Sequence, residues 1–255
     1  MPAVENQAVM LAAQNGHEDI VQLLLEFRYA TSGQLVHLAL KKGWDKVAQL
    51  AIWCADQPVL DWRDPSSSNK TALHIAVELR RVEIINRLLE AGVNANIKDD
   101  KGKLPFAIAM EANNLEIVKT LLDTPSIAID EPDEEKVTPL LRACVDSYNG
   151  ASNLGVIRKL LEKRGSDVNL NAKYPDDSSS KHAGMAPLHL AGLTVRRGGE
   201  GTDALLNLLL EHGADSNVKN RRCLTPLFFA AELGGGAPRG RQVAHQARRQ
   251  PQGQE

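Results

Sequence analysis

The stretch Thr71–Ile97, TALHIAVELRRVEIINRLLEAGVNANI, restricts the possible folds more than any other part of the chain. Thr71 suits a helix N-cap, because a hydroxyl there can accept from an orphan backbone N–H of the first turn. Leu73, Ala76 and Val77 fall at helical spacing and give one short apolar face. Glu78–Arg81 breaks that face. Ile84, Ile85, Leu88 and Leu89 then form a second, broader stripe. Gly92 stands where a left-handed residue ends a helix at least cost. The polar run from Val93 to Gly102 reads as an exposed turn. Helices this short are marginal alone in water. Burying a Leu or Ile yields about 1.5–3 kcal/mol, whereas ordering costs about 1.5 kcal/mol per residue. One such unit cannot stand by itself and needs stacked neighbours.

The rest of the chain supplies them. The apolar anchor represented by Leu73 recurs at Val9, Val36, Phe106, Leu140, Leu188 and Leu227. Leu73, Phe106 and Leu140 lie 33 and 34 residues apart, and the other intervals carry insertions or deletions. A fixed period of this size marks a repeat architecture. The first copy is AVMLAAQNGHEDIVQLLLE, Ala8–Glu26. T-P-L-H-like openings stand at Thr71–His74, Thr138–Leu141, Ala186–His189 and Thr225–Phe228. Endings of the G-A-D-x-N kind stand at Gly92–Asn96, Ser166–Asn169 and Gly213–Asn217.

With Ala12-Ala13, Gly16-His17, Ile20-Val21 and Leu23-Leu24-Leu25, these motifs resemble the ankyrin repeat over about residues 4–233. The resemblance implies an all-α, ankyrin-like helical-repeat solenoid with short β-hairpin or loop connections. It has six copies and a partial seventh. The residue types fit this on physical grounds. Proline at a first helical position removes only an orphan N–H. The paired alanines let neighbouring units approach, and the leucine run fills the space between them.

The departures are informative. Copy 2, Gly33 to about Asp64, ends in the long link ADQPVLDWRD. Copy 4, Gly102–Asp130, has Asn113-Asn114 where Gly-His is usual. Copies 5, Val137–Asn171, and 6, Met185–Asn217, carry extra residues between their helices. The polar segment 173–184 reads as a long exposed loop. Copy 7 opens with LTPLFFAAE and gives way to a Gly-, Arg- and Gln-rich tail, 234–255, expected to be disordered. That break suggests a truncated or alternative C-terminus that leaves Phe228 and Phe229 poorly covered.

Aromatic residues are only 4% of the chain, so Leu, Ala, Val and Ile must fill its core. The net charge of −2 gives no global field for nucleic acid or anionic membranes. Cys54, Cys144 and Cys223 are odd in number and form no CxxC, so they read as small apolar residues in a reducing compartment. No segment resembles a secretory signal or a membrane span. The expectation is a monomer of the cytoplasm or nucleus that needs no cofactor.

No HExxH, GxSxG or phosphate-loop context is present, and a catalytic role is not expected. His17, His74 and His189 read as structural; His182 and His245 fall in segments expected to be flexible. The function implied is protein–protein binding as scaffold, adaptor or inhibitor, through the concave groove and hairpin tips. The alternative is the recognition part of a larger enzyme or ubiquitin-ligase adaptor. Candidate contacts are Trp44, Trp62, Arg80, Arg81, Lys98, Asp99, Lys101, Asn113, Asn114, Arg221 and Arg222. Aromatic and arginine side chains are the usual interface anchors, and the basic pairs, Lys41-Lys42 among them, suit an acidic partner. Trp62 packs under its own loop equally well on this reading, and Trp53 reads as core or inter-repeat packing. Asn96, Asn169 and Asn217 each follow a leucine by eight residues, a context resembling that of asparaginyl hydroxylation in ankyrin repeats.

Overall fold

The computed structural model describes residues 2–27, 31–148, 153–176, 180–197 and 203–231. The tail and His245 lie outside them. The chain divides into two compact units, residues 1–128 and 129–255.

Unit 1 contains α1 (Pro2–Gln14), α2 (Glu18–Glu26), α3 (Gly33–Lys42), α4 (Asp45–Cys54), α5 (Gln57–Leu60), α6 (Ala72–Glu78), α7 (Val82–Glu90), α8 (Pro105–Glu111) and α9 (Leu115–Leu122). Helices pair within each copy as α1/α2, α3/α4, α6/α7 and α8/α9. First helices also stack on one another in the order α1, α3, α6, α8, and second helices in the order α2, α4, α7, α9. Two helical layers result, with the core between them. Val9, Val36, Leu73 and Phe106 are all buried there, as are Ala13, Ala39, Ala76 and Ala109. Small residues at the close approaches and branched ones between copies are what stacking demands.

Unit 2 contains α10 (Pro139–Tyr148), α11 (Leu154–Arg164), α12 (Pro187–Arg197), α13 (Ala204–Glu211) and α14 (Pro226–Ala231). α10, α12 and α14 form its first-helix layer, and α11 packs on α13. Leu140 and Leu188 are buried anchors. In copy 7 Phe229 is buried, while Phe228 is 44% exposed.

The connections are turns. Among the described residues the β pairing is the single bridge Asp64–Lys70. Each hairpin places one residue in the left-handed region three positions before the first-helix proline or its equivalent: Asn69, Gly102, Lys136, Gly184 and Cys223. The long link of copy 2 holds the unexpected α5 and a 3₁₀ turn at Pro65–Ser67.

Candidate functional site

One histidine device recurs. His74 Nδ1 accepts from the Thr71 N–H at 3.1 Å, and its Nε2 donates to the Lys103 carbonyl at 3.1 Å. A carbonyl can only accept, which fixes the tautomer. The Thr71 hydroxyl meets the same Nδ1 at 2.8 Å, and Thr71 and His74 together form a capping box, each side chain accepting from the other's backbone N–H. His189 repeats the device, with Ala186 N–H at 3.1 Å and the Leu224 carbonyl at 3.0 Å. In both, the ring ties a first helix to the hairpin of the next copy. Burial pushes both imidazoles below their ordinary pKa, so they stay neutral.

His37 is the variant, overlooked by the sequence reading although it follows anchor Val36 as His74 follows Leu73. Its Nε2 meets the Lys70 carbonyl at 3.0 Å, but its Nδ1 faces the Gly33 carbonyl at 2.8 Å. Two acceptors favour a charged ring. Burial is the larger effect and lowers its pKa, and the Lys70 carbonyl also accepts from the Asp64 N–H at 2.9 Å. The Trp62 indole packs edge-on against this ring, centroids 4.8 Å apart. Trp62 also lies so close to Gly33 that a Cβ there would meet its Cβ at 2.3 Å. Trp62 is thus half-buried under its own link.

Beside it lies a pocket of about 160 Å³ between α1, α3 and the link, lined by Met10, Leu38, His37, Lys41, Trp62 and Asp64 among others. Lys41 Nζ reaches Asp64 at 2.6 Å. Burial works to raise the Asp64 pKa. Hydrogen bonds from Lys41, Ser66 and Ser67 outweigh it and hold the carboxyl well below the usual range.

The turns between first and second helices carry the remaining candidates of unit 1. Gly16, Gly43, Arg80 and Asn113 occupy the same left-handed position. His17, Trp44, Arg81 and Asn114 follow as N-caps of α2, α4, α7 and α9. The structure brings two of these turns together. Arg81 bonds Asp45 at 3.2 Å, and its guanidinium passes beside Gly43. Lys42 Nζ stands 4.9 Å over the Trp44 ring. Arg80 is exposed at the tip.

The other candidates lie in the hairpins and at the start of α9. Asp99 is buried and accepts from the N–H groups of Lys101 and Lys103, both at 2.9 Å, so it shapes the hairpin and offers no free carboxylate. Asn114 caps α9 by accepting from Ile117 N–H at 3.2 Å. Lys98 is half-buried, its carbonyl taken by Arg63 at 2.9 Å; Lys101 and Asn113 are exposed. The Asn96 amide spans a hairpin, donating to Ser126 O at 2.7 Å and accepting from Ala128 N–H at 2.8 Å. In unit 2, Asn169 accepts from Asn171 N–H at 3.0 Å, and Asn217 is exposed. Arg221 donates to the Asp176 carbonyl at 3.3 Å, and Arg222 is exposed.

Three expectations fail: Phe229 is buried, not poorly covered, and two others concern His182 and Trp53. His182 is buried against Tyr148 and Tyr174, not flexible, because the loop folds back over α10. Trp53 is 63% exposed, not core: Val47, Ala48, Ala51 and Ile52 already make up the buried face of α4. Among the described residues no cluster of three or more His, Cys, Asp or Glu could hold a metal. No described helix is long and apolar enough to cross a membrane.

A family model described as ankyrin repeats (3 copies) matches residues 9–99 and 73–173. The chain belongs to the ankyrin repeat family. The human Neurogenic locus notch homolog protein 1 is 31% identical over 163 residues, which is 64% of this chain and 6% of that protein. The Saccharomyces cerevisiae protein named "Probable 26S proteasome regulatory subunit p28" is 32% identical over 168 residues, 64% of this chain and 65% of that one. The crystal structure of the ankyrin repeat domain of Bcl-3, a member of the IkappaB protein family, superposes with a TM-score of 0.67 at 24% identity, covering 93% of this chain and 97% of that chain. It shares the fold. Ankyrin repeats are protein–protein interaction modules, and the fold is a non-enzymatic scaffold.

Proposed function

We propose that this ankyrin repeat chain is a non-catalytic scaffold, adaptor or inhibitor of the cytoplasm or nucleus. It binds a protein partner through the first-helix face, turns and hairpin tips of unit 1. The observation that carries this reading is Arg80. It holds φ at 56°, where the neighbouring copy places Gly43. A left-handed non-glycine residue costs about 1–2 kcal/mol, and such strain collects at functional positions. The strained residue is an exposed cation beside Arg81 in sequence, and Arg81 reaches the turn that carries Lys42 and Trp44. That combination of guanidinium, indole and ammonium suits an acidic segment with an apolar side chain. The 160 Å³ pocket by Trp62 offers room for one such side chain.

A display library of random peptides, selected on the intact chain, tests this. Acid-rich peptides should emerge, and Trp44→Ala/Arg80→Ala/Arg81→Ala should weaken their binding by at least about tenfold with helicity unchanged. Equal binding by the triple variant removes the turn ridge from the reading. The second reading, a recognition part of a larger protein, is favoured by the 6% of notch homolog protein 1 that the chain spans.

A further inference from the structure

The outer faces of the second helices carry a feature that the first-helix site does not use. In unit 1 the residue following the leucine run is Glu26 in α2, Glu90 in α7 and Asp123 after α9. In α4 it is Trp53. Three positions earlier, α2 and α4 have Leu23 and Leu50, where α7 has Arg87 and α9 has Thr120. Phe27, at the end of α2, is 72% exposed, and Leu23 is 53% exposed. Leu23, Phe27, Leu50 and Trp53 therefore lie on the outward sides of two adjacent helices, away from the faces that build the core. Trp53 and Leu50 line a cleft of about 730 Å³ that runs from α2 across α4 to α7. An apolar centre with a charged border is the anatomy of an interface.

We propose that this outer face of α2 and α4 docks a second copy of the chain, as a two-fold pair with Trp53 at its centre. The border selects the occupant. Glu26 and Glu90 line the cleft together with Lys46 and Arg87. Arg87 is already paired with Glu83 at 3.2 Å, and Glu26 is held by Gln22 at 3.0 Å. Lys46 and Glu90 make no hydrogen bond or ion pair with other described residues. A partner of one sign would satisfy one of these free charges and oppose the other. Two copies related by a two-fold axis present the same surface to each other, so Lys46 of each can meet Glu90 of the other. The contact leaves the first-helix face open to its protein partner.

The test uses the full chain. Sedimentation velocity from low to high micromolar concentration should show the mass rising from 27.8 kDa toward twice that value. Trp53→Glu restores the acid that other copies carry at this position. It should keep its helicity and its peptide binding, and weaken pairing by at least about tenfold. Lys46→Glu and Glu90→Lys should each pair poorly alone. Mixed together they should form a heterodimer, because their charges then complement each other across the axis. A wild-type chain that stays monomeric throughout overturns the proposal. So does a Trp53→Glu chain that pairs like wild type, or a mixture of the two charge variants that pairs no better than either alone.

Discussion

In copy 3 the chain leaves the second helix at Glu90 and reaches the next first helix at Pro105 through one hairpin; in copy 2 it leaves at Cys54 and reaches Ala72 by way of α5, Trp62 and a 3₁₀ turn. The two copies nevertheless share a skeleton. Each buries an apolar anchor and an alanine in its first helix, Leu73 with Ala76 and Val36 with Ala39. Each sends a histidine to the carbonyl that precedes the next helix cap. The differences lie off that skeleton. Copy 2 turns at glycine and is apolar on its outer face, whereas copy 3 turns at arginine and is charged there. A few repeated contacts thus fix the stack, and the positions they leave unconstrained are where chemistry varies.

The largest effect should come from breaking what the copies share. Leu88 is fully buried on the side of α7 that faces its neighbours. Leu88→Asp places an unpaired charge in a shared interface, a loss of about 3–5 kcal/mol or more. Hydrogen exchange should show the helices of unit 1 losing protection together. Loss confined to α7 would mean that the copies do not support one another.

Gly33→Ala should rank next and act on copy 2 alone. The added Cβ would meet Trp62 Cβ at 2.3 Å and the Val59 carbonyl at 2.5 Å, and backbone cannot yield cheaply. A cost of about 1–3 kcal/mol is expected, read as a lower denaturant midpoint with an unchanged slope. In the register set by Val36 and Leu73 the matching residue of copy 3 is Lys70, which already carries a side chain. That contrast marks the link, not the helix pair, as the tight point.

Most of this skeleton was legible in the sequence. Anchors, alanine pairs and caps are local, periodic and apolar, and stacking gives each the same neighbours. The link was not legible, since α5 is held by tertiary packing against α3 that no period encodes. Among the candidates, Asp99 and Asn114 bond local backbone, since a polar residue in a turn serves the backbone as readily as a partner. Trp53 could have been found by register alone, by comparison with Glu26 and Glu90; composition favoured the core instead.

Acid should weaken both latches. Burial lowers the pKa of His37 and His74 below the ordinary 6.5. The unfolded chain then takes up protons first as pH falls. Their contribution is complete above about pH 6.5 and is lost progressively below it. Asp64 has its pKa held down, so its contribution is lost only as pH falls below about 4. Thermal unfolding followed against pH should show two successive declines. His37→Gln/His74→Gln should reduce the first, with His182 and His189 keeping their share, and leave the second. A first decline of wild-type size in that variant would assign it elsewhere.

The smallest expected effect separates the two turns most directly. Arg80 and Gly43 occupy the same position with φ of 56° and 75°. Arg80→Gly removes the left-handed penalty but frees the unfolded backbone, which offsets part of the gain. The net expectation is about 0.5–1 kcal/mol of added stability. Gly43→Ala should cost about 1 kcal/mol, and not more, because its Cβ would find only the Arg81 guanidinium, at 3.7 Å. If Arg80→Gly stabilises the fold while weakening capture of acid-rich peptides, arginine is kept there for its charge at the expense of backbone comfort. If it destabilises the fold, the Arg80 side chain contributes to the stack itself, and the two turns differ in architecture and not only in what they present.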